Sequence, residues 1–219
     1  MTLSDRVKSD IGFLGDALMP GPYQCYLCDE EDMIGEDGLC DKCRAKLKYL
    51  PNPMYLAPLD GITVGLQYSD EISAAVMRFK KLGQTEYAGF FTQFLSVPKE
   101  WNADILVPVP MHPLKKWIRR FNHTELLASY LSHATGIPYS SALLRKNRFT
   151  FEQKKLYDPA ERRKNIRGSF TADPSVKGLR IVLIDDVFTT GATVYECAKT
   201  LKRAGAEKVY LSAVTSPTH

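Results

Sequence analysis

The chain has 219 residues, of which 44% are hydrophobic and 25% charged, and its formal net charge is +4 at pH 7. These values are typical of a soluble globular protein with a buried core. No apolar run approaches the roughly 18 residues that a membrane-spanning helix needs, which argues against membrane insertion. The first twenty residues mix charges throughout and lack the apolar core of a signal peptide, so we expect a cytoplasmic protein.

The positive charge is concentrated in one part of the chain. Between residues 111 and 170 there are thirteen Lys or Arg and four acids, a local net charge of +9, so the remainder of the chain carries −5. A basic block in an otherwise acidic chain predicts a polyanionic ligand such as phosphate, pyrophosphate or nucleic acid. The alternative is a solvated charged face, but four basic clusters within sixty residues favour a ligand.

The first predicted elements are a short amphipathic helix over residues 1–20 and a cysteine-rich module after it. The module contains two C-x2-C pairs separated by eleven residues, with the cysteines Cys25, Cys28, Cys40 and Cys43. Four thiolates form the tetrahedral ligand set that Zn²⁺ prefers in structural sites, so we predict bound zinc. Two disulfides are disfavoured in a cytoplasmic chain, and an iron–sulfur cluster suits the symmetry of the paired knuckles less well.

The charge of the cysteine module argues against a nucleic-acid finger. Between Cys25 and Cys43 the chain has seven acids and one base. Such a surface repels a phosphate backbone, and four thiolates on one Zn²⁺ add further negative charge. We therefore expect a structural role for the module, or docking onto a basic surface.

The stretch YLPNPMYLAPLDG, rich in proline and glycine, is typical of a linker. It predicts two units in the chain. The first, residues 1–50, holds the N-terminal helix and the zinc module, and the second covers residues 60–219.

After the linker, ITVGLQYS alternates with the period of a strand, and DEISAAVMRFKKLG has helical spacing between an Asp70 N-cap and a Gly83 C-cap. TEYAGFFTQFLSV predicts a second helix. From Ile105 onward, the predicted strands DILVPVP, YSSALLR, LRIVLIDDV and EKVYLSAVT alternate with helices that end at Gly136 and Gly205. This alternation predicts an α/β fold with a parallel sheet flanked by helices.

The segment IVLIDDVFTTGAT, residues 181–193, places two adjacent acids at the end of a buried strand, before a small and hydroxyl-rich turn. Ligands of open α/β sheets bind outside the carboxyl ends of the strands, and a helix N-terminus attracts anions. The turn should therefore bind a phosphate while the acids face hydroxyl groups or a metal ion. An ordinary strand end and helix cap would account for only one acid and one threonine. The segment thus predicts a site for a sugar phosphate.

VLIDDVFTTGAT resembles the phosphoribosyl pyrophosphate (PRPP) signature of the type I phosphoribosyltransferases. The resemblance implies that the ribose hydroxyls bind, directly or through the waters of a Mg²⁺ ion, to Asp185 and Asp186. It implies that the 5′-phosphate binds to Thr189, Thr190, Gly191, Ala192 and Thr193.

Further segments resemble the ComF (ComF/GntX) family, in which a zinc knuckle accompanies a type I phosphoribosyltransferase-like domain linked to natural competence. VPVPMHP resembles that family's pyrophosphate loop, and RRFNHTELLA resembles R-G-F-N-Q-x-E-L-L-A, with Arg120 in place of Gly and His123 in place of Gln. RKNRFTFEQKKL…ERRKNIRGSF resembles R-x4-T-x2-Q-x2-L…R-x2-N-x-x-G-x-F. The resemblance covers essentially the whole chain.

This second resemblance implies two more groups of ligand-binding residues. The pyrophosphate-binding residues would be Val109, Pro110, Met111 and His112. The flexible basic loop would contain Arg145, Lys154, Lys155, Arg162 and Arg163. His112 is interpreted either as an acid–base group or as a structural residue, and His123 as a packing or surface residue.

Three functions are compatible with these residues. The family resemblance favours a protein that binds PRPP with Mg²⁺ and handles single-stranded DNA during competence, with Phe121, Phe149, Phe151 or Tyr157 offering stacking faces. An active phosphoribosyltransferase is the first alternative, although no segment specifies an acceptor and no catalytic residue can be identified. A scaffold whose zinc module docks a competence helicase is the second alternative.

Overall fold

A computed structural model describes residues 24–50, 55–111, 121–147 and 166–217. Its centre is a four-stranded sheet with the strand order β1–β6–β5–β2, in which every neighbouring pair is parallel. The strands are β1 (Gly61–Gln67), β2 (Ile105–Pro108), β5 (Arg180–Val187) and β6 (Lys208–Ser216). The predicted parallel sheet is confirmed.

The helices cover both faces of this sheet, as a parallel sheet requires. They are α1 (Asp41–Lys46), α2 (Asp70–Met77), α3 (Tyr87–Thr92), α4 (His123–Thr135) and α5 (Ala192–Arg203). A π-helical turn, Arg78–Leu82, continues α2, and two short 3₁₀ segments are formed by Lys99–Trp101 and Pro174–Val176. The predicted amphipathic helix over residues 1–20 lies outside the described residues.

Two buried clusters lie on the two faces of the sheet, because successive residues of a strand point to opposite sides. On β5, Val182 and Ile184 belong to the cluster that contains α2, α3 and α4. Ile181 and Leu183 belong to the other cluster, which contains α5. The four residues are completely buried, so the predicted buried strand is covered on both faces.

A small antiparallel sheet follows α4. It pairs β3 (Leu144–Lys146) with β4 (Phe170–Ala172). The strand predicted in YSSALLR is therefore present, but it begins only at Leu144 and does not join the main sheet. Upstream of it, Tyr139 makes a single parallel bridge to Leu106 on β2.

The helix ends agree with the sequence at their glycines and differ at one cap. Gly83 and Gly136 both follow helical segments with left-handed backbone, at φ 73° and 75°. The predicted Asp70 N-cap is wrong, because Ser69 caps α2 and its side chain accepts a hydrogen bond from the Ile72 N–H at 3.3 Å. Ser69 has the extended backbone of an N-cap, and Asp70 lies in the first turn, where its charge favours the helix dipole.

The cysteine module packs into the core of the larger unit. Cysteines of the module and Tyr26 belong to the same buried cluster as α2, α3 and α4. The Tyr26 ring stacks on Phe90 at 4.8 Å between centroids and meets the edge of Tyr87 at 4.9 Å. The boundary between residues 1–50 and 60–219 stays a prediction, and across it the two units share one hydrophobic cluster.

Gly65 on β1 has no room for a side chain beside Phe94, so a substitution there should destabilise the fold. A Cβ there would lie 2.3 Å from the Phe94 carbonyl oxygen and 2.8 Å from Phe94 Cβ. We expect Gly65→Ala to lower the free energy of unfolding by about 1–3 kcal/mol, as overpacking of a core does. Urea unfolding followed by circular dichroism measures this change.

Gly89 on α3 is the matched control, because a Cβ there would meet only ordinary contacts, with Tyr130 at 3.5 Å. Gly89→Ala should raise the free energy of unfolding by about 0.5–1 kcal/mol through helix propensity. Equal effects of the two substitutions would contradict the close approach at Gly65.

Candidate ligand and metal sites

The paired acids lie at the carboxyl end of β5, between β2 and β6, where an open α/β sheet binds its ligands. Because the two residues are adjacent on a strand, their side chains point to opposite faces. Asp185 follows the side of Ile181 and Leu183, and Asp186 follows the side of Val182 and Ile184. The structure therefore places the two predicted ribose ligands in different surroundings.

Asp186 is buried in the protein against a lysine and a histidine. Only 3% of the surface of Asp186 is exposed to solvent. Oδ2 lies 2.6 Å from Lys80 Nζ and 3.1 Å from His123 Nε2, while Oδ1 accepts a hydrogen bond from the Val187 N–H at 2.7 Å. Burial opposes its ionisation, but Lys80 and His123 outweigh burial and lower the pKa of Asp186 to about 2. Asp186 is therefore a buried anion with defined partners.

Asp185 is half-buried and behaves in the opposite way. Burial and the neighbouring negative charge of Asp186 raise the pKa of Asp185 to about 8. Its Oδ1 accepts a hydrogen bond from the Asp186 N–H at 3.0 Å. On this face the carboxyl group also acts on the buried thiol of Cys197, whose pKa is raised by burial and by Asp185. The surroundings of Asp185 therefore oppose its ionisation, and a nearby cation would favour the charged form.

The turn after β5 has the features of an anion site. Thr189 and Thr190 are exposed, and Gly191 occupies the N-cap of α5 with φ 68° and no side-chain cap bond. A Cβ at Gly191 would lie 2.5 Å from Leu56 Cδ2 and 3.0 Å from the Phe188 ring. Glycine is therefore required twice, for the left-handed backbone and for space. Thr189 and Thr190 directly precede the N-terminus of α5, where the first N–H groups of a helix attract anions.

The loop after β2 begins beside the same strand end. The Val109 N–H donates to the Ile184 carbonyl at 2.9 Å, and the Thr124 hydroxyl donates to the Val109 carbonyl at 2.8 Å. Pro110 and Met111 are half-buried and follow directly. His112 lies outside the described residues.

A pocket of about 150 Å³ separates this loop from β3. Its lining is formed by Pro108, Pro110, Met111, Asn122, Glu125, Ser141, Leu144, Arg145 and Lys146. The structure therefore brings the predicted pyrophosphate loop and Arg145, from the predicted basic loop, around one cavity. The other predicted basic-loop residues lie outside the described part of the chain: Lys154, Lys155, Arg162 and Arg163.

The four predicted metal ligands are brought together. The sulfur atoms of Cys25, Cys28, Cys40 and Cys43 all lie within 4.8 Å of one another, and none of the four is in a disulfide. A tetrahedral Zn²⁺ with Zn–S bonds of about 2.3 Å would place its sulfurs about 3.8 Å apart. Cys28 Sγ and Cys40 Sγ are 3.9 Å apart, so the cluster fits such an ion.

Within the first knuckle, the surroundings of Cys25 favour a thiolate, whereas burial raises the pKa of Cys28. Burial would raise the pKa of the Cys25 thiol, but hydrogen bonds from backbone N–H groups outweigh burial and lower it to about 7. One of these groups is the Cys40 N–H, 3.4 Å from Cys25 Sγ. A thiolate is the form of cysteine that binds a metal ion. Hydrogen bonds from the backbone therefore favour the metal-binding form of Cys25.

Sequence reasoning missed two residues of the site, Lys80 and His123. Lys80 lies in RFKKLG, which has the appearance of an exposed helix end, and it is distant from Asp186 in the sequence. The sequence indicates only a packing or surface role for His123; the residue is buried, yet its Nε2 faces a carboxylate. The departure from the family pattern at His123 was the one available signal.

No described helix is both long and apolar enough to cross a membrane. This finding agrees with the absence of a long apolar run in the sequence.

Known proteins resemble this chain over most of its length. Residues 126–216 match the phosphoribosyl transferase domain family. The DNA utilization protein YhgH of Salmonella typhi is 34% identical over 221 residues, which cover 86% of this chain and 94% of that protein. Competence protein ComFC of Bacillus subtilis is 32% identical, covering 83% of this chain and 89% of that protein. Competence protein F of Haemophilus influenzae is 25% identical, covering 85% and 94%.

Identities above 30% extend over most of two of these relatives. The sheet has the parallel topology that the phosphoribosyl transferase match requires, and the four-cysteine cluster precedes it. The chain therefore belongs to the competence-associated ComF family, with a four-cysteine module joined to a phosphoribosyltransferase-like domain.

Proposed function

We propose that this protein binds PRPP together with Mg²⁺ and acts in the handling of single-stranded DNA during natural competence. One observation carries the PRPP part of the proposal. A carboxyl group, Asp185, and an open turn with exposed hydroxyls at a helix N-terminus occur together at the end of the central strand β5. A ribose 5-phosphate presents both hydroxyls and a phosphate, so it satisfies both groups.

The ligand would be shared between three parts of the site. Thr189, Thr190 and the first N–H groups of α5 would bind the 5′-phosphate, and Asp185 would face the ribose hydroxyls. The diphosphate would lie toward the loop that begins at Val109 and toward Arg145, on the two sides of one pocket. Mg²⁺ would neutralise diphosphate charge when bound, and Asp185 is the described carboxylate best placed to approach it.

Calorimetry with PRPP and Mg²⁺ tests this assignment. Wild-type protein should release or absorb heat on binding, and Asp185→Asn should weaken binding about tenfold or more. A hydrogen bond to a charged group contributes about 1.5–3 kcal/mol, and about 1.4 kcal/mol corresponds to a factor of ten.

Asp104→Asn is the matched control for this experiment, because Asp104 pairs with Arg180 at the opposite end of β5. Its PRPP affinity should equal that of the wild type. If the wild-type protein gave no heat of binding, or if Asp185→Asn bound PRPP with unchanged affinity, the assignment of a PRPP site would be wrong.

The relatives' names and the charge pattern support the DNA part of the proposal. Two relatives are competence proteins and a third is a DNA utilization protein. The block between residues 111 and 170 carries a net charge of +9, which suits a phosphate backbone. Arg145, which belongs to this block, is exposed. The acidic cysteine module is separate from the block in the sequence.

Fluorescence anisotropy with a labelled single-stranded oligonucleotide tests DNA binding. Affinity should fall as salt rises, and it should fall further when Lys154, Lys155, Arg162 and Arg163 are changed to Glu. The slope of log affinity against log salt should become shallower by about 0.7 for each phosphate that the variant no longer neutralises. Lys177→Glu/Arg203→Glu changes two exposed residues outside the block between residues 111 and 170 to acids and should bind like the wild type. Equal effects of the two sets would contradict a site in the basic block.

We propose that the four cysteines hold one structural Zn²⁺. Elemental analysis of the purified protein should find about one zinc per chain, and Cys25→Ser/Cys40→Ser should lose it. Cys197→Ala, which removes a buried thiol far from the cluster, should keep its zinc. Because Tyr26 of the module stacks on Phe90, metal loss should also lower the melting temperature. A double-serine variant with full zinc content would disprove the site.

A further inference from the structure

The π-helical turn Arg78–Leu82 lies between the cysteine module and the acid pair. It contributes two cations, Arg78 and Lys80, that are two residues apart. Residues with this spacing do not share a face of a helix, so the two side chains extend in different directions. One contacts the module and the other contacts the end of β5.

Arg78 binds the first cysteine knuckle. Its Nη2 donates to the Leu27 carbonyl at 2.7 Å and to the Tyr26 carbonyl at 3.0 Å, and its Nε donates to the Tyr87 hydroxyl at 2.8 Å. Both carbonyls belong to the two residues between Cys25 and Cys28. Their positions therefore depend on the closure of the knuckle around its metal ion.

Lys80 binds the acid pair from the same turn. Its Nζ lies 2.6 Å from Asp186 Oδ2, with 21% of the lysine side chain exposed and 4% of the aspartate side chain. His123 completes the arrangement at 3.1 Å. Removing one partner of a buried pair leaves an uncompensated charge, so Asp186 depends strongly on the position of this lysine.

The turn between the two cations is anchored in the core through the side chain of Phe79. Phe79, the residue between them, is completely buried. Its ring centroid is 5.7 Å from that of Phe91 and 6.1 Å from that of His123, which meets it edge-on. A π-helical turn inserted in a helix is often found at functional sites, and here Lys80 belongs to that turn.

We propose that Arg78 and Lys80 are positioning residues that couple the cysteine module to PRPP binding, an inference that rests on the proposed function. The closed knuckle holds the two carbonyls that bind Arg78, and the packed turn links the position of Arg78 to that of Lys80. Lys80 in turn keeps Asp186 on its own face of the sheet. Asp185, on the other face, is then available to bind the ligand. Opening of the knuckle removes two acceptors from Arg78 and releases the turn, so the acid pair loses its arrangement although no cysteine touches PRPP.

Coupling of this kind is reciprocal, because zinc and PRPP would each favour the same arrangement of the turn. Typical coupling between sites corresponds to a change in affinity of about 5- to 150-fold. We therefore expect removal of zinc from the wild-type protein to weaken PRPP binding at least fivefold, and PRPP to slow the extraction of zinc by a chelator.

The decisive variants keep zinc bound. PRPP affinity is measured by calorimetry in zinc-loaded Arg78→Met, Lys80→Met, Lys80→Arg and Arg180→Met. We expect Arg78→Met and Lys80→Met to bind at least fivefold more weakly, and Lys80→Arg to recover most of the loss because it keeps the cation. Arg180→Met removes an ion pair at the other end of β5 and should bind as the wild type does. Wild-type affinity in zinc-loaded Arg78→Met would overturn the proposal.

A second measurement separates this inference from the proposed function. The Val187 N–H donates to Asp186 Oδ1, so its hydrogen exchange reports the placement of that carboxylate without any ligand. Exchange at Val187 should be faster in Arg78→Met than in Arg180→Met, both with zinc bound. Equal rates would overturn the coupling. Absence of PRPP binding in the zinc-loaded wild type, together with faster exchange in Arg78→Met, would instead reject the proposed ligand and leave the coupling standing.

Discussion

Adjacent residues on a strand must face opposite sides, and in this sheet both sides are covered. The acid pair at the end of β5 is therefore divided by geometry. Asp186 enters the layer of α2, α3 and α4, where a buried charge is tolerated only with partners, and Lys80 and His123 supply them. Asp185 stays half-buried on the other face, repelled by its neighbour's charge. The two acids therefore differ in burial and in partners although they are adjacent in the sequence.

The cysteine module packs against the same layer of helices α2, α3 and α4. The module is not an appended finger, because Tyr26 stacks within an aromatic group that includes Tyr87 and Phe90. Its acidic residues are largely exposed, while its cysteines belong to the buried cluster of the larger unit. A metal ion held by the four cysteines would therefore act on the core of the phosphoribosyltransferase-like domain as well as on the module itself.

The parts of the fold that could be predicted are those whose signal is local. The strand ending in Asp185 and Asp186, the turn with Gly191 and the four cysteines each carry their pattern within a few residues, and the structure contains all of them. The Lys80–Asp186 contact joins residues more than a hundred positions apart, and a π-helical turn shifts Lys80 away from the helical pattern, so no periodicity could reveal it. The N-cap of α2 is Ser69 rather than the predicted Asp70 because the two residues are adjacent and both are good N-cap residues, so the sequence does not distinguish them.

The strand order also determines when, during synthesis of the chain, the sheet around the acid pair can be completed. β6 follows all the other strands of the main sheet in the sequence, yet it lies between β1 and β5 and pairs with both. Until it is synthesised, β1 has no partner in the sheet and the edge of β5 is open. Contacts of such long sequence separation form slowly, since a long loop must close before they contribute stability. A growing chain therefore contains both its cysteines and its acid pair before β6 completes the sheet at whose edge the acid pair lies.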